Sequence, residues 1–250
     1  MMLASPQFSA NAHQHAVMQF TCSLDGQPFS VWTENDGWKK TVGLLIDSNI
    51  SHGVTDFTGW QNTICIIPDV RKGKSIQEKV LKGEAVKYYE ANEILPILEA
   101  LQVTRYELIS EGPIFKALTD SVFDYLIGEE SFLPPMDSRI TGAIMFIRQN
   151  IHENLSAADL ASQVHLSEHR FLHLFKEQVG APLRQYILWQ RTIAAIEAFL
   201  TGLSAKEAAY AAGFSDPAHF SRTFSQMFGA LPSTYADIKP LYHFAFFQDV

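Results

Sequence analysis

From Met145 to Ala236 the sequence carries one unit twice. Phe171, Phe175, Gly180, Ala181 and Tyr186 of the first copy fall in register with Phe220, Phe224, Gly229, Ala230 and Tyr235 of the second. Five coincidences at fixed spacing set the architecture of this half of the chain.

Each copy opens with a capping box, Ser156 with Asp159 and Ser204 with Glu207, whose hydroxyl and carboxylate satisfy free N–H groups at a helix start. A short helix follows, carrying Leu160, Ala161 and Val164 in one copy and Ala208, Ala209 and Ala212 in the other. Small Ala161 and Ala209 let a second helix cross closely. That second helix starts after a tight turn, with Ser167 as N-cap in the first copy and Asp216 ahead of Pro217 in the second. Its apolar positions, Phe171, Leu174 and Phe175 or Phe220, Phe224 and Met227, recur at helical spacing. The opposite face is left free. A short helix pair whose second member presents a polar face reads as a helix-turn-helix, with that member entering the major groove.

The segment joining the copies, Leu183 to Leu200, reads as one long helix striped by Tyr186, Ile187, Ile193, Ile196 and Leu200 and stopped by Thr201 and Gly202. Two reading heads on one stiff rod would enter successive major-groove segments, roughly 34 Å apart if separated by one helical turn.

These residues resemble the DNA-binding domain of the AraC/XylS family of bacterial transcription regulators. The resemblance rests on Leu160 and Ala161 ahead of Leu166 and Ser167, Phe175 and Lys176 before Gly180, Arg191 opening the linker helix, and Ala208 with Gly213 and Phe214. It continues through Phe220, Ser221, Arg222 and Phe224 to Gly229, Pro232 and Tyr235. About 100 residues are covered. Two departures stand out: His165 occupies the turn position where the family has Gly, and Ala236 stands where the family often has Arg. His165 must then take up the turn geometry with a side chain.

The formal charge of −8 at first argues against nucleic acid. Residues 1–136 hold 10 Lys and Arg against 17 Asp and Glu, whereas 137–240 hold 9 of each and five histidines. The acidity belongs to the first half. A neutral reading half implies a modest phosphate contribution, which favours a dimer. On the first reading helix, packing leaves His169, Arg170, Leu172, His173 and Lys176 free; on the second it leaves Ala218, His219, Ser221, Arg222 and Ser225. Arg170 and Arg222 can each fork onto guanine O6 and N7, with Arg222 the main base reader and His173 its equivalent in the first copy; Lys176 suits a phosphate clamp.

Residues 1 to about 70 show short strand-like runs, Ala16–Cys22, Phe29–Trp32, Thr41–Ile46 and Thr63–Ile67, separated by Asp25-Gly26, Asn35-Asp36-Gly37 and Asp47-Ser48-Asn49. They suggest a small barrel or sandwich. His13, His15 and a later His52 resemble the histidine pattern of the cupin barrels that many AraC-type regulators use as sensors. The carboxylate of that pattern is absent, so no metal is expected, and the three histidines are read as lining an organic-ligand pocket. From Ser75 the pattern turns helical: Ser75 with Glu78 forms a capping box, with Val80, Leu81 and Val86 as apolar positions, and Pro96 restarts the chain. Pro113 to Ile127 gives a further amphipathic helix.

The expected fold is α+β and multidomain. Residues 1–128 form a cupin-like sensing and dimerising domain (barrel 1–72, helices 75–128), 129–136 a linker, 137–240 the DNA-binding domain and 241–250 an apolar tail of unassigned role. No apolar run reaches a membrane span, and Met1 to Ala10 lacks a signal peptide's features, so a cytoplasmic protein is expected. Cys22 and Cys65 read as small core residues. The expected function is non-enzymatic, with no cofactor: a regulator, in family terms usually an activator that contacts RNA polymerase, controlled by a sugar, sugar acid or aromatic acid. The alternatives are a metal-dependent cupin enzyme and an N-terminal half that only dimerises.

Overall fold

The computed structural model describes residues 2–23, 25–100, 125, 135–228, 231–233 and 243–245. The N-terminal half holds β1 (Met2–His13), β2 (Met18–Ser23), β3 (Phe29–Thr33), β4 (Gly37–Thr41), β5 (Gly43–Ile46), β6 (His52–Ile66) and β7 (Val86–Tyr89). Their turns are the ones the sequence announces: Gly26, Gly37 and Asn49 all take positive φ. Strands β1, β4 and β7 lie outside the runs read from sequence, and β6 starts eleven residues before Thr63.

The architecture follows from the length of β6. Strand β1 runs along one of its edges from His52 to Ile64, while the other edge is shared, His52 to Thr55 pairing with β3 and Gln61 to Ile66 pairing with β2. The path β4-β3-β6-β2-β5-β7 therefore folds over without closing. The expected barrel is corrected to an open, folded-over sheet, because among the described residues no pairing joins β4 to β7. Phe29, Val31, Leu44, Ile46 and Val54 fill the space between its two parts.

Helix α1 (Arg71–Ile76) runs into a π-turn (Gln77–Leu81), and α2 (Ala91–Ala100) follows β7. Three helical expectations are corrected here. Ser75 is buried inside α1 and caps nothing, since the helix starts four residues earlier. Val86 lies in a strand, because Lys82 and Gly83 turn left-handed and end the helix. Helix α2 passes through Pro96, its start fixed by the Glu93 carboxylate accepting from the Glu90 N–H at 2.8 Å. The helix expected over 113–127 and the linker up to Pro134 lie outside the described residues, apart from Tyr125. Part of the tail, β8 (His243–Ala245), pairs antiparallel with Met2 to Ala4.

The C-terminal half is helical: α3 (Ser138–Gln149), α4 (Ala157–Gln163), α5 (Glu168–Val179), α6 (Leu183–Leu200), α7 (Ala205–Ala211) and α8 (Pro217–Phe228). Helix α6 serves two cores. Its Leu183, Tyr186 and Ile187 join Ile140, Ile144, Leu160, Phe171 and Phe175, while its Trp189, Ala195 and Ile196 join Ala209, Phe214, Phe220 and Phe224.

Candidate nucleic-acid interface

Both reading helices are started by the caps expected of them. Ser167 Oγ accepts from the Arg170 N–H at 3.4 Å, and the Asp216 carboxylate accepts from the Ala218 and His219 N–H groups at 2.9 and 3.2 Å. Upstream, Ser204 and Glu207 form the full reciprocal box, whereas Ser156 and Asp159 complete only the hydroxyl-to-backbone half. Asp137 caps α3 and pairs with Arg139 at 2.7 Å, which draws its carboxyl down to about 2.

His165 takes φ 54° at the first turn and Gly213 takes φ 82° at the second, so the same left-handed turn is made once with a side chain and once without. Gly213 has a second reason to be glycine: a Cβ there would stand 2.8 Å from the Ile151 carbonyl oxygen. From the other side, Arg191 donates to Ile151 O at 3.1 Å and to Glu153 O at 2.7 Å. The loop after α3 is thus held between α6 and the second turn, which ties the two copies together. Arg191 lies in the middle of α6 and not at its opening, a correction that explains its use.

Phe171 and Phe175 of α5, and Phe220 and Phe224 of α8, are buried at 2% exposure or less. The other faces are open. His169, Arg170, Leu172, His173 and Lys176 are exposed on α5, as are Ala218, His219 and Arg222 on α8, with Ser221 and Ser225 half-buried. The Arg222 guanidinium lies 3.6 Å from the Asp216 carboxylate, and His173 lies 3.8 Å from Glu177. Both pairs are solvent-facing and weakly held. Two amphipathic helices in two structurally matched units, each with an exposed arginine and at least one exposed histidine, form the candidate interface.

The N-terminal half grips the C-terminal end of each reading helix. Gly180 ends α5 with φ 95°, and a Cβ there would collide with the Asp69 carbonyl oxygen; its own carbonyl accepts from Lys74 Nζ at 2.9 Å. Gln185 donates to the Asp69 carboxylate at 3.1 Å. At α8, the Ala16 N–H donates to Gln226 O at 2.7 Å, and Val17 packs into the core that holds Trp189 and Met227. A cavity of about 240 Å³ lies at this junction, lined by Val17, Asn49, Pro68, Gln185, Trp189 and Met227 among others.

The three histidines expected to line a ligand pocket come together. Ring centroids of His13, His15 and His52 are 4.5 to 5.6 Å apart. The route differs from a single His-x-His strand, since β1 ends at His13 and His15 lies in the turn beyond. Burial, with His15 alongside, holds the His52 imidazole down to about 3; burial also lowers His15. A polar row continues inward: the Gln19 amide meets His15 Nε2 at 3.0 Å and donates to Thr21 Oγ1 at 3.0 Å, and the Thr21 hydroxyl meets that of Thr63 at 3.0 Å. Sequence reasoning missed this row, together with fully buried Gln61; strict alternation along β2 hid it, because every residue of Met18–Ser23 is buried. Both cysteines are free, and burial pushes the Cys22 thiol up to about 12.

Residues 160–237 match the family model described as a helix-turn-helix domain. The arabinose operon regulatory protein of Escherichia coli is 33% identical over 108 residues, 42% of this chain. Residues 160–237 are thus similar to the DNA-binding part of AraC-type regulators. This AraC-type match spans only 37% of the arabinose regulator's length. A probable transcriptional regulator of Photobacterium leiognathi, LumQ, is 22% identical over 91% of this chain and 92% of its own. Among solved structures, ToxT of Vibrio cholerae shares the fold, with a TM-score of 0.53 at 16% identity over 95% of this chain and 96% of ToxT; ToxT has also been solved with an unsaturated fatty acid bound. Both relatives bear the names of regulators of transcription. Among the described residues no helix is long and apolar enough to cross a membrane.

Proposed function

We propose that this AraC-type regulator reads two adjacent major-groove segments of double-stranded DNA with the outward faces of α5 and α8, under control of a small molecule bound by the N-terminal half. The observation that carries the reading is α6, which contributes apolar residues to both helical cores and so holds two exposed recognition faces at fixed separation. Arg222 and Arg170 contact guanine, His169, His173, His219, Ser221 and Ser225 contact bases or phosphates, Leu172 contacts a thymine methyl and Lys176 clamps a phosphate.

The domain division falls at residues 128 and 137, with the N-terminal unit sensing and pairing two copies. The effector is a small organic acid or sugar held near His13, His15 and His52. The ToxT complex with a fatty acid supports a carboxylate ligand for this fold. Binding would shift an existing equilibrium between placements of the reading helices, by no more than the ligand's differential affinity for them. The protein acts in the cytoplasm as a homodimer and activates transcription through RNA polymerase.

Selection of bound fragments from a random DNA pool tests the reading. The expected product is a motif with two elements one helical turn apart; a pool that shows no enrichment, or a motif with one element, would overturn it.

A further inference from the structure

Three imidazoles of the N-terminal half meet with their ring nitrogens close together. Each imidazole directs Nδ1 at a main-chain carbonyl two residues away: His13 at Asn11 O, His15 at Val17 O and His52 at Ile50 O, all at 2.8 Å. A carbonyl only accepts, so Nδ1 of His13 and of His52 carries the proton and their Nε2 atoms keep the lone pair, whereas His15 Nε2 faces the Gln19 amide oxygen, another acceptor, and offers its lone pair only once Gln19 swings away. A carbonyl on Nδ1 is the arrangement that outer hydrogen bonds impose on metal-ligating histidine, fixing tautomer and ring orientation together. One ligand nitrogen from each residue lies within 4.8 Å of the others. His52 Nε2 is fully enclosed and has no hydrogen-bond partner among the described residues, which an imidazole held only by packing would not need to leave so. His13 is half-exposed and leaves the cluster a way in.

We propose that His13, His15 and His52 bind one divalent transition-metal ion of the zinc and cobalt class through their Nε2 atoms. Three neutral imidazoles suit such ions and not magnesium or calcium. Bond lengths of about 2.0–2.1 Å place ligand nitrogens roughly 3.4 Å apart, so the site tightens by about 1 Å as the rings turn and His15 exchanges the Gln19 amide for the ion. A water molecule or an effector oxygen takes the remaining position, the open coordination of a three-histidine site. The carboxylate missing from the sequence pattern is not needed for this set. The site also reaches the reading half directly: the residue after His15 donates its N–H to Gln226 of α8, and the His15 carbonyl accepts from the Asn49 N–H at 2.7 Å.

The inference narrows the ligand-pocket reading above and fails separately from it. Full-length protein, stripped with chelator and dialysed, is titrated with Co²⁺ and Zn²⁺, followed by calorimetry and by the visible absorption of Co²⁺. The expected result is one ion per chain, with an absorption band of a four- or five-coordinate centre that Zn²⁺ abolishes. Affinity should fall at least tenfold in both His13→Gln and His52→Gln, and stay unchanged in His152→Gln, whose ring is exposed and outside the cluster. His13→Gln, at the half-exposed position, keeps the test valid if His52→Gln unfolds. Absence of a stoichiometric ion, or equal binding by His13→Gln and wild type, overturns the metal. A thermal shift with an organic acid in stripped protein would, in that event, leave the ligand-pocket reading standing.

Discussion

The Ala16 N–H donates to the carbonyl oxygen of Gln226 at 2.7 Å, joining the turn that carries His15 to the last turn of α8. The final four carbonyls of a helix have no partner within it. Here one of them is satisfied by the N-terminal half, and Gly180, closing α5, receives Lys74 in the same way. The N-terminal half therefore touches both helices at their C-terminal ends and leaves their exposed faces uncovered there.

Gly180→Ala should loosen that contact. The substitution forces a side chain into φ 95° and against the Asp69 carbonyl, so a loss of about 2 kcal/mol or more is expected. Gly202→Ala provides the comparison, since Gly202 also has positive φ but no neighbour within 4 Å of a Cβ; it should cost only about 1 kcal/mol. Urea midpoints measure both. Equal losses would mean that the Asp69 contact contributes nothing.

The reading half was legible because its information is local. Caps, helical spacing and the Gly202 stop all act within a few residues, and Ser167, Asp216 and the bounds of α6 stand as expected. The N-terminal half was less so, since its organisation is long-range. Strand β6 pairs with three others over fifteen residues, and nothing near Thr55 or Gln61 announces which partner each will take. The grip of Asp69 on Gly180 is of the same kind: Gly180 reads as a helix stop, and its second duty depends on a residue 111 positions away. The histidines were found through their type, whereas the polar row behind them was hidden within a fully buried strand.

Arg191→Met should lower stability by about 1–2 kcal/mol, because two charge-assisted bonds to Ile151 O and Glu153 O are lost at a partly exposed site. Helix content measured by circular dichroism should be unchanged, as the caps of α5 and α8 do not depend on it. A large loss of helix would show that Arg191 holds up the individual units and not their mutual placement.

Metal-free protein should be sensitive to mild acid. His52 titrates near 3 in the fold and near its ordinary value of 6.5 in the unfolded chain, so between those values the unfolded state binds more protons. Stability is then complete above about 6.5 and declines as pH falls towards 3, by on the order of 4 kcal/mol from this group, with His15 acting in the same direction. Denaturant unfolding from pH 7 to 4.5 in chelator measures it. His52→Gln should flatten the slope; an unchanged slope would show that the enclosed imidazole does not govern the acid response.

Two recognition faces carried by one rod should fail independently, and base-specific binding by two variants reads this out. On the DNA site recovered by selection, every base position is varied and affinity measured for wild type, Arg170→Ala and Arg222→Ala. Each variant is predicted to lose about 1–3 kcal/mol of discrimination at its own element, with the two elements about 10 base pairs apart on one side of the duplex. If both substitutions relax the same element, or neither changes base preference, the two-headed reading is wrong.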